Sequence, residues 1–315
     1  MNKSPGLLIV ATIIVFYALV SCQSKTQYND TPTSGSIKIA VDETFKPVIQ
    51  SEIDVFEAIY NTASITASYD SEIEAFNNLL KDSVRLIVSS RQLSDQEKAF
   101  FESKKFFPKE IKIATDAIAL IVNPENKDTM ISVDMLKKIL NGSITDWKQI
   151  NQKSKSGKIK LVFDNPNSGT IRFVLDSVCK GVKLSDNLTA LSSNSAVVDF
   201  VSTTTNAIGI IGVSWVSDRE DTTVLSFLSK VKVMALSREA TPTYENSYQP
   251  YQGYIATQQY PLTRSIYIIN AEPRTGLASG FTSFIASERG QRIILKSGIL
   301  PATQPIRLIQ VNNDF

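Results

Sequence analysis

The chain has 315 residues, which is long enough for two lobes of ordinary domain size, and its 43% hydrophobic and 20% charged residues are typical of a globular protein and exclude disordered and fibrous classes. Its 33 basic and 31 acidic residues nearly balance, so the charge gives no support to nucleic-acid binding. The absence of histidine excludes Ser-His-Asp and Cys-His catalysis and histidine-ligated metals, whereas catalysis by carboxylate pairs or carboxylate-bound Mg²⁺ stays open.

The N-terminal segment differs from the rest of the chain. Lys3 precedes an uncharged run, residues 7–20, that fits the core of a signal peptide better than a membrane span of about 20 residues. The run ends in a Leu-Val-Ser-Cys sequence that resembles a bacterial lipobox, with Cys22 as the acylated first residue of the mature protein. We therefore predict a signal peptide at 1–21, a lipidated flexible tether at 22–36, and an exported protein anchored by lipid to the cell envelope. An uncleaved N-terminal anchor is the alternative.

Beyond the tether, short β-branched runs alternate with amphipathic segments, which predicts βαβ units and a mostly parallel sheet. Residues 36–41 are the first predicted strand, and Pro47 falls in the first turn of the helix that follows. Two capping boxes, Ser71 with Glu74 and Ser94 with Glu97, predict two further helix starts. Residues 84–88 form a predicted buried strand between them.

A long apolar strand is predicted at residues 117–122, followed by a turn, and we expect it to carry the chain into the second lobe. Ser132 is the predicted cap of a helix that Gly142 ends. A strand at 160–163, a turn at 165–169 and a helix at 170–180 follow. A strand at 260–269 is predicted to return the chain, which divides it into lobe 1 (37–118 and 262–315) and lobe 2 (119–261).

Two segments are candidate anion sites. Ser168, Gly169 and Thr170 lie where a strand turns into a helix, so their free N–H groups and hydroxyls can hold an oxyanion without a metal. Arg172, one turn later, can add a charged bidentate contact. The alternative is that Ser168 is only an N-cap and Arg172 a solvated charge.

The second segment is Ser89-Ser90-Arg91, at the carboxyl end of the strand at 84–88, where open α/β folds bind ligands. A polar loop that leads to Ser94 is the alternative interpretation. Trp147 and Trp215 are expected to pack in the core.

Several segments together resemble the phosphate-binding proteins that serve phosphate ABC transporters, within the type II periplasmic-binding-protein fold. In chain order these segments are residues 116–124, 132–147, 168–170, 207–209, 260–264 and 288–291 with Gly298, Leu300 and Pro301. Residues 139–147, with their glycine stop and tryptophan, follow the family pattern closely, and Ser168-Gly169-Thr170 matches its anion-binding turn. The resemblance covers nearly the whole predicted mature chain.

The resemblance implies two α/β lobes joined by two crossover strands, with the ligand clamped between them by hinge closure. It implies a small phosphate-like oxyanion as ligand, an ABC permease as partner, and no catalytic residue, metal or cofactor. A monomer is the default expectation. The ligand-binding positions carried over from the family are Thr44, Ser71, Ser90, Arg91, Ser168, Gly169, Thr170 and Arg172.

The departures from the family pattern are acidic. Where the family has small residues, or an arginine before the Ser-Gly-Thr turn, this chain has Asp42, Glu43, Asp70, Glu72 and Asp164. One carboxylate can select a protonated oxyanion, but several would oppose binding. Two alternatives therefore stay open: the same scaffold retuned to another solute or used as a sensor or interaction lipoprotein, and a carboxylate-based hydrolase.

Overall fold

The computed structural model describes residues 30–181, 184–185, 188–217 and 227–303. The predicted signal peptide, Cys22 and most of the tether lie outside these residues. Within the described part of the chain, no helix is long and apolar enough to cross a membrane.

The first half of the chain alternates strands and helices as predicted. Its elements are β1 (Gly35–Asp42), α1 (Lys46–Ile59), β2 (Ala63–Asp70), α2 (Glu72–Leu80), β3 (Leu86–Ser89), α3 (Asp95–Ser103) and β4 (Lys109–Val122). A short 3-10 turn, Glu43–Phe45, joins β1 to α1. Pro47 lies in the first turn of α1, and both halves of the Ser94–Glu97 capping box are present at α3. Ser71 caps α2 through the N–H of Glu74.

The second half contains the other predicted units. Its elements are β5 (Met130–Ser132), α4 (Val133–Leu140), β6 (Lys160–Phe163), α5 (Gly169–Val174), β7 (Leu188–Ala190), α6 (Asn194–Thr203), β8 (Ala207–Gly212), α7 (Ser214–Ser217), β9 (Lys232–Val233), β10 (Ala235–Ser237), β11 (Ser247–Tyr248), α8 (Gln252–Ala256), β12 (Thr263–Asn270), α9 (Leu277–Ala286), α10 (Glu288–Lys296) and β13 (Leu300–Pro301). The helix predicted at 170–180 is α5 continued by a π-helical turn, Leu175–Cys179.

The main sheet has the order β2-β1-β3-β12-β4-β8-β6-β7. Parallel pairs lie at both ends, where β1 pairs with β2 and β3, and β6 pairs with β7 and β8. The two strands at its centre, β4 and β12, are antiparallel to their neighbours. The sheet is therefore mixed, and each lobe keeps the parallel βαβ arrangement expected from the sequence.

The strand β4 belongs to both lobes. Its first part pairs with β12 up to Ala117, and from Ile118 to Val122 it pairs with β8. Together with β12 it forms the two expected crossover strands of the two-lobed α/β fold. The change of partner lies next to the predicted lobe boundary at 118/119, which stays a prediction.

The hydrophobic core is divided in the same way. Phe56 and Phe281 pack with the inner face of β1 and β3 in one cluster, while Trp147 and Tyr260 pack with β4 and β8 in another. Trp147 is fully buried, and its indole N–H donates to the Asn206 carbonyl at 3.1 Å. Its expected role in packing is confirmed.

Candidate functional site

The candidate site lies in the cleft between the lobes, at the carboxyl ends of the parallel strands. Asp42 ends β1, Ser89 ends β3, and Asp164 follows β6 directly. Because the strands of both lobes point toward the cleft, these residues and the start of α5 come together there, in the place where open α/β sheets bind ligands.

The start of α5 is buried against the opposite lobe. The Gly169 N–H donates to Asp42 Oδ2 at 3.0 Å, and the Thr170 and Thr44 hydroxyl oxygens are 3.1 Å apart. The Ser168 hydroxyl donates to Asp164 Oδ1 at 2.7 Å and also accepts from the Ile171 N–H as the cap of α5. The predicted anion-binding turn therefore faces the cleft, with its Gly169 N–H and Ser168 hydroxyl bound to carboxylates of this chain.

Glu72, in the first turn of α2, accepts five hydrogen bonds in the cleft. Three come from its own lobe: the Ser89 hydroxyl at 2.8 Å, the Ser90 hydroxyl at 2.8 Å and the Ser90 N–H at 3.2 Å, all to Oε2. Two come from Arg172 of the other lobe, from Nε to Oε1 at 2.5 Å and from Nη2 to Oε2 at 3.3 Å. A Glu72 carboxylate thus joins the two predicted anion-binding segments.

The other predicted site residues have different surroundings. Thr44 donates both its N–H and its hydroxyl to Asp42 Oδ1, at 3.1 and 2.9 Å. Ser71 caps α2 and lines the cleft. Arg91 forms a bidentate pair with Glu97, at 2.7 and 2.8 Å, and its guanidinium lies over the Phe76 ring. Arg91 therefore lies beside the site, with its Nε 3.8 Å from Glu72 Oε1.

The ionisation of the cleft carboxyls is uneven. Burial, followed by the negative charge of Glu72, raises the pKa of Asp42 to about 7, although Arg264 opposes the shift. Burial also acts to raise the pKa of Glu72, but the hydrogen bonds and charge of Arg172, with the serine hydroxyls, hold it below its ordinary value. Glu72 is therefore ionised at neutral pH, whereas Asp42 keeps its proton to a higher pH than an exposed aspartate does.

A cavity of about 290 Å³ opens beside these residues. Its acidic lining consists of Asp42, Glu43, Asp70, Glu74 and Asp164, accompanied by hydroxyl and amide groups. The described residues contain no group of three or more cysteine or acidic side chains arranged to hold a metal ion. The cavity has room for a small solute, and its carboxylates favour a ligand that brings hydrogen-bond donors.

The comparison with known families covers most of the chain. A family profile described as PBP superfamily domain matches residues 26–289. The chain belongs to the PBP superfamily. This membership confirms the resemblance drawn from the sequence.

Relatives of this PBP superfamily member include two curated proteins named phosphate-binding protein PstS. The one from Borreliella burgdorferi is 25% identical over 272 residues, which covers 84% of this chain and 89% of the relative. The one from Staphylococcus aureus is 25% identical over 264 residues, covering 82% of this chain and 76% of the relative.

Solved structures show the same two-lobed type II fold. A candidate phosphate ABC transporter substrate-binding protein from Clostridium perfringens, solved with bound phosphate, has a TM-score of 0.71 and 24% identity, covering 85% of this chain and all of that one. An ABC-type phosphate transport receptor from Vibrio cholerae has a TM-score of 0.61 and 21% identity, with 85% and 100% coverage. The expected fold class is confirmed.

Two residues of the PBP cleft were missed by the sequence reasoning. Asn194, at the start of α6, donates its side-chain amide to Glu43 Oε2 at 2.6 Å and to Asp164 Oδ2 at 3.2 Å. Arg264, on the crossover strand β12, is buried with Asp116 and donates to the Thr170 hydroxyl at 3.4 Å. Neither has a local pattern that points to the cleft. The sequence pointed to Arg264 only in that it ends residues 260–264, one of the segments that resemble the phosphate-binding family.

Proposed function

We propose that this chain is an exported, lipid-anchored solute-binding protein that binds phosphate or a related oxyanion between its lobes and delivers it to an ABC transporter. Its curated relatives are named as phosphate-binding proteins, and a structural neighbour was solved with phosphate. The predicted lipobox at Cys22 and a monomeric receptor with a membrane permease as partner belong to the same proposal.

We infer the ligand class from the set of hydrogen-bond donors that converge on Glu72. The Ser89 and Ser90 hydroxyls, the Ser90 N–H and the Arg172 guanidinium all bind one pair of carboxylate oxygens. Neutral donors combined with one guanidinium bind an anion without a metal ion. This arrangement suits the oxygens of a tetrahedral oxyanion as well as those of a carboxylate.

Calorimetry on the soluble fragment that begins near Thr26 tests the ligand. We expect phosphate to bind, and Arg172→Ala to weaken binding at least about tenfold, because a hydrogen bond to a charged group contributes about 1.5–3 kcal/mol. Arg85→Ala, which removes an arginine from the exposed pair with Asp82, is the matched control. Absence of both heat and thermal shift with phosphate would reject the oxyanion proposal.

A second test addresses export and anchoring. Wild-type protein expressed with its full N-terminus is expected in the membrane fraction, and mass spectrometry is expected to find acyl chains on Cys22. A Cys22→Ser variant should lose both. Wild-type protein found without acylation would contradict the lipoprotein part of the proposal alone.

The acidic cavity favours a second candidate, the same scaffold retuned to another small solute. Five acidic side chains line it, and the Gly169 N–H and the Arg172 guanidinium already bind carboxylates of this chain. A thermal-shift screen of oxyanions, cations, sugars and amino acids separates the candidates. A ligand at 100 times its Kd stabilises the protein by about 2.7 kcal/mol. Stabilisation by phosphate alone would exclude the second candidate.

A further inference from the structure

Glu72 fills the position that an oxyanion ligand needs. Its side chain is 3% exposed, although it belongs to the first turn of a helix, where a carboxylate usually lies in solvent. The carboxylate is turned away from its own helix, toward Ser89, Ser90 and Arg172. The donors expected to bind the ligand are therefore bound by a residue of the protein.

The contact also joins the lobes. Glu72, Ser89 and Ser90 belong to the first lobe, whereas Arg172 belongs to the second and lies 100 positions away in sequence. The Arg172 Nη2 atom also donates to the Ser90 hydroxyl at 2.8 Å, so the guanidinium contacts two residues of the first lobe. Separating the lobes requires this ion pair, in which Glu72 is buried and Arg172 is partly exposed, to break.

An incoming oxyanion cannot share these donors with Glu72. A second anion in hydrogen-bonding contact with the same groups would lie within a few ångströms of the Glu72 carboxylate, and the two charges would repel because the Glu72 side chain is only 3% exposed and is poorly screened by water. Gly169 leaves no spare room either, because a Cβ added there would lie 2.7 Å from Glu72 Oε2 and 2.4 Å from Asp42 Oδ2. Binding at Arg172 therefore requires the Glu72 carboxylate to leave.

We propose that Glu72 is an internal competitor for the oxyanion and thereby sets the affinity and charge selectivity of the cleft. This inference rests on the proposed function. With Glu72 in place, the receptor closes on its own carboxylate, and a ligand binds only by replacing it at Ser89, Ser90 and Arg172. Once the Glu72 charge is removed, the same donors become free for inorganic phosphate.

The test compares phosphate binding by the wild-type fragment, Glu72→Gln and the matched control Glu102→Gln, which removes the same charge from an exposed position of α3. We expect Glu72→Gln to lower the Kd for phosphate at least tenfold and Glu102→Gln to leave it unchanged. Glu72→Ala provides a second measurement: phosphate and acetate should each raise its melting temperature more than that of the wild type, because both can occupy the vacated donors.

The main alternative is that Glu72 only orients Arg172 for the ligand. In that case Glu72→Gln would bind phosphate more weakly than the wild type, and this result would overturn the inference while leaving the proposed function intact. Equal affinities of Glu72→Gln and the wild type for phosphate would overturn the inference as well. If the wild type binds neither phosphate nor another oxyanion, the proposed function itself fails, whatever the Glu72 variants bind.

Discussion

Replacing Glu52 with methionine is expected to raise the free energy of unfolding, and increasingly so as the pH rises. Glu52 lies on the buried face of α1 and is 0% exposed. Within the described residues neither of its carboxylate oxygens has a hydrogen-bond partner. Burial raises the pKa of Glu52 from 4.5 to about 9, because the charged form is not compensated.

The magnitude follows from proton linkage. Between pH 4.5 and about 9 the folded protein keeps a proton on Glu52 that the unfolded chain releases, so the free energy of unfolding falls by about 1.4 kcal/mol per pH unit. At pH 7.5, three units above the unfolded pKa, the loss is about 4 kcal/mol. Methionine has a similar length and no polar oxygens, so its variant lacks this loss.

Urea unfolding at pH 5.5 and 7.5 measures the effect. The advantage of Glu52→Met over the wild type is expected to grow by about 2.7 kcal/mol between these pH values, since they are two units apart. Glu102→Met, at an exposed position, should show no such growth. If the difference between wild type and Glu52→Met does not depend on pH, the reasoning about an uncompensated buried carboxyl is refuted.

Three other substitutions probe the cleft. Gly169→Ala places a Cβ 2.4 Å from Asp42 Oδ2, and overpacking of this kind should cost about 1–3 kcal/mol, so an unchanged melting temperature would contradict the close approach. Asp42 has its pKa raised to about 7, so the wild type loses stability as the pH rises from about 4 to 7. In urea unfolding, the free energy of unfolding of Asp42→Asn should therefore rise relative to that of the wild type over that pH range. A difference between the two proteins that does not change with pH would contradict the raised pKa of Asp42. Asp116→Asn removes the charge that compensates buried Arg264 and should cost about 3–5 kcal/mol; a melting temperature close to that of the wild type would disprove this pairing.

The local structure could be predicted because it depends on neighbours in sequence. The Ser94 cap needs only Glu97, three positions away. The helix that starts after Ser132 ends at Leu140, two residues before Gly142, which adopts a φ of +81° that favours glycine. The strand-turn-helix around Ser168 could be predicted for the same reason. Hydrophobic periodicity and these caps were enough to predict the α/β fold class.

The partners in the cleft could not be predicted in this way. Asp42 meets the Gly169 N–H 127 positions away, and Arg172 meets Glu72 100 positions away. Arg91, predicted as a ligand contact, pairs with Glu97 of its own lobe. Glu97 lies in the first turn of α3, where the Ser94 capping box holds its carboxylate close to Arg91. Which acidic residue reaches which donor depends on how the two lobes pack across β4 and β12.

The amino-acid sequence by itself determined the elements, their order and the residue types that surround the cleft, since turns, caps and amphipathic faces require only short-range interactions. The tertiary structure alone decided that Glu72 and Asp42 turn inward and bind the donors at Arg172 and Gly169. The physical reason is that a buried charge requires a partner, and the partner becomes available only when the two lobes come together.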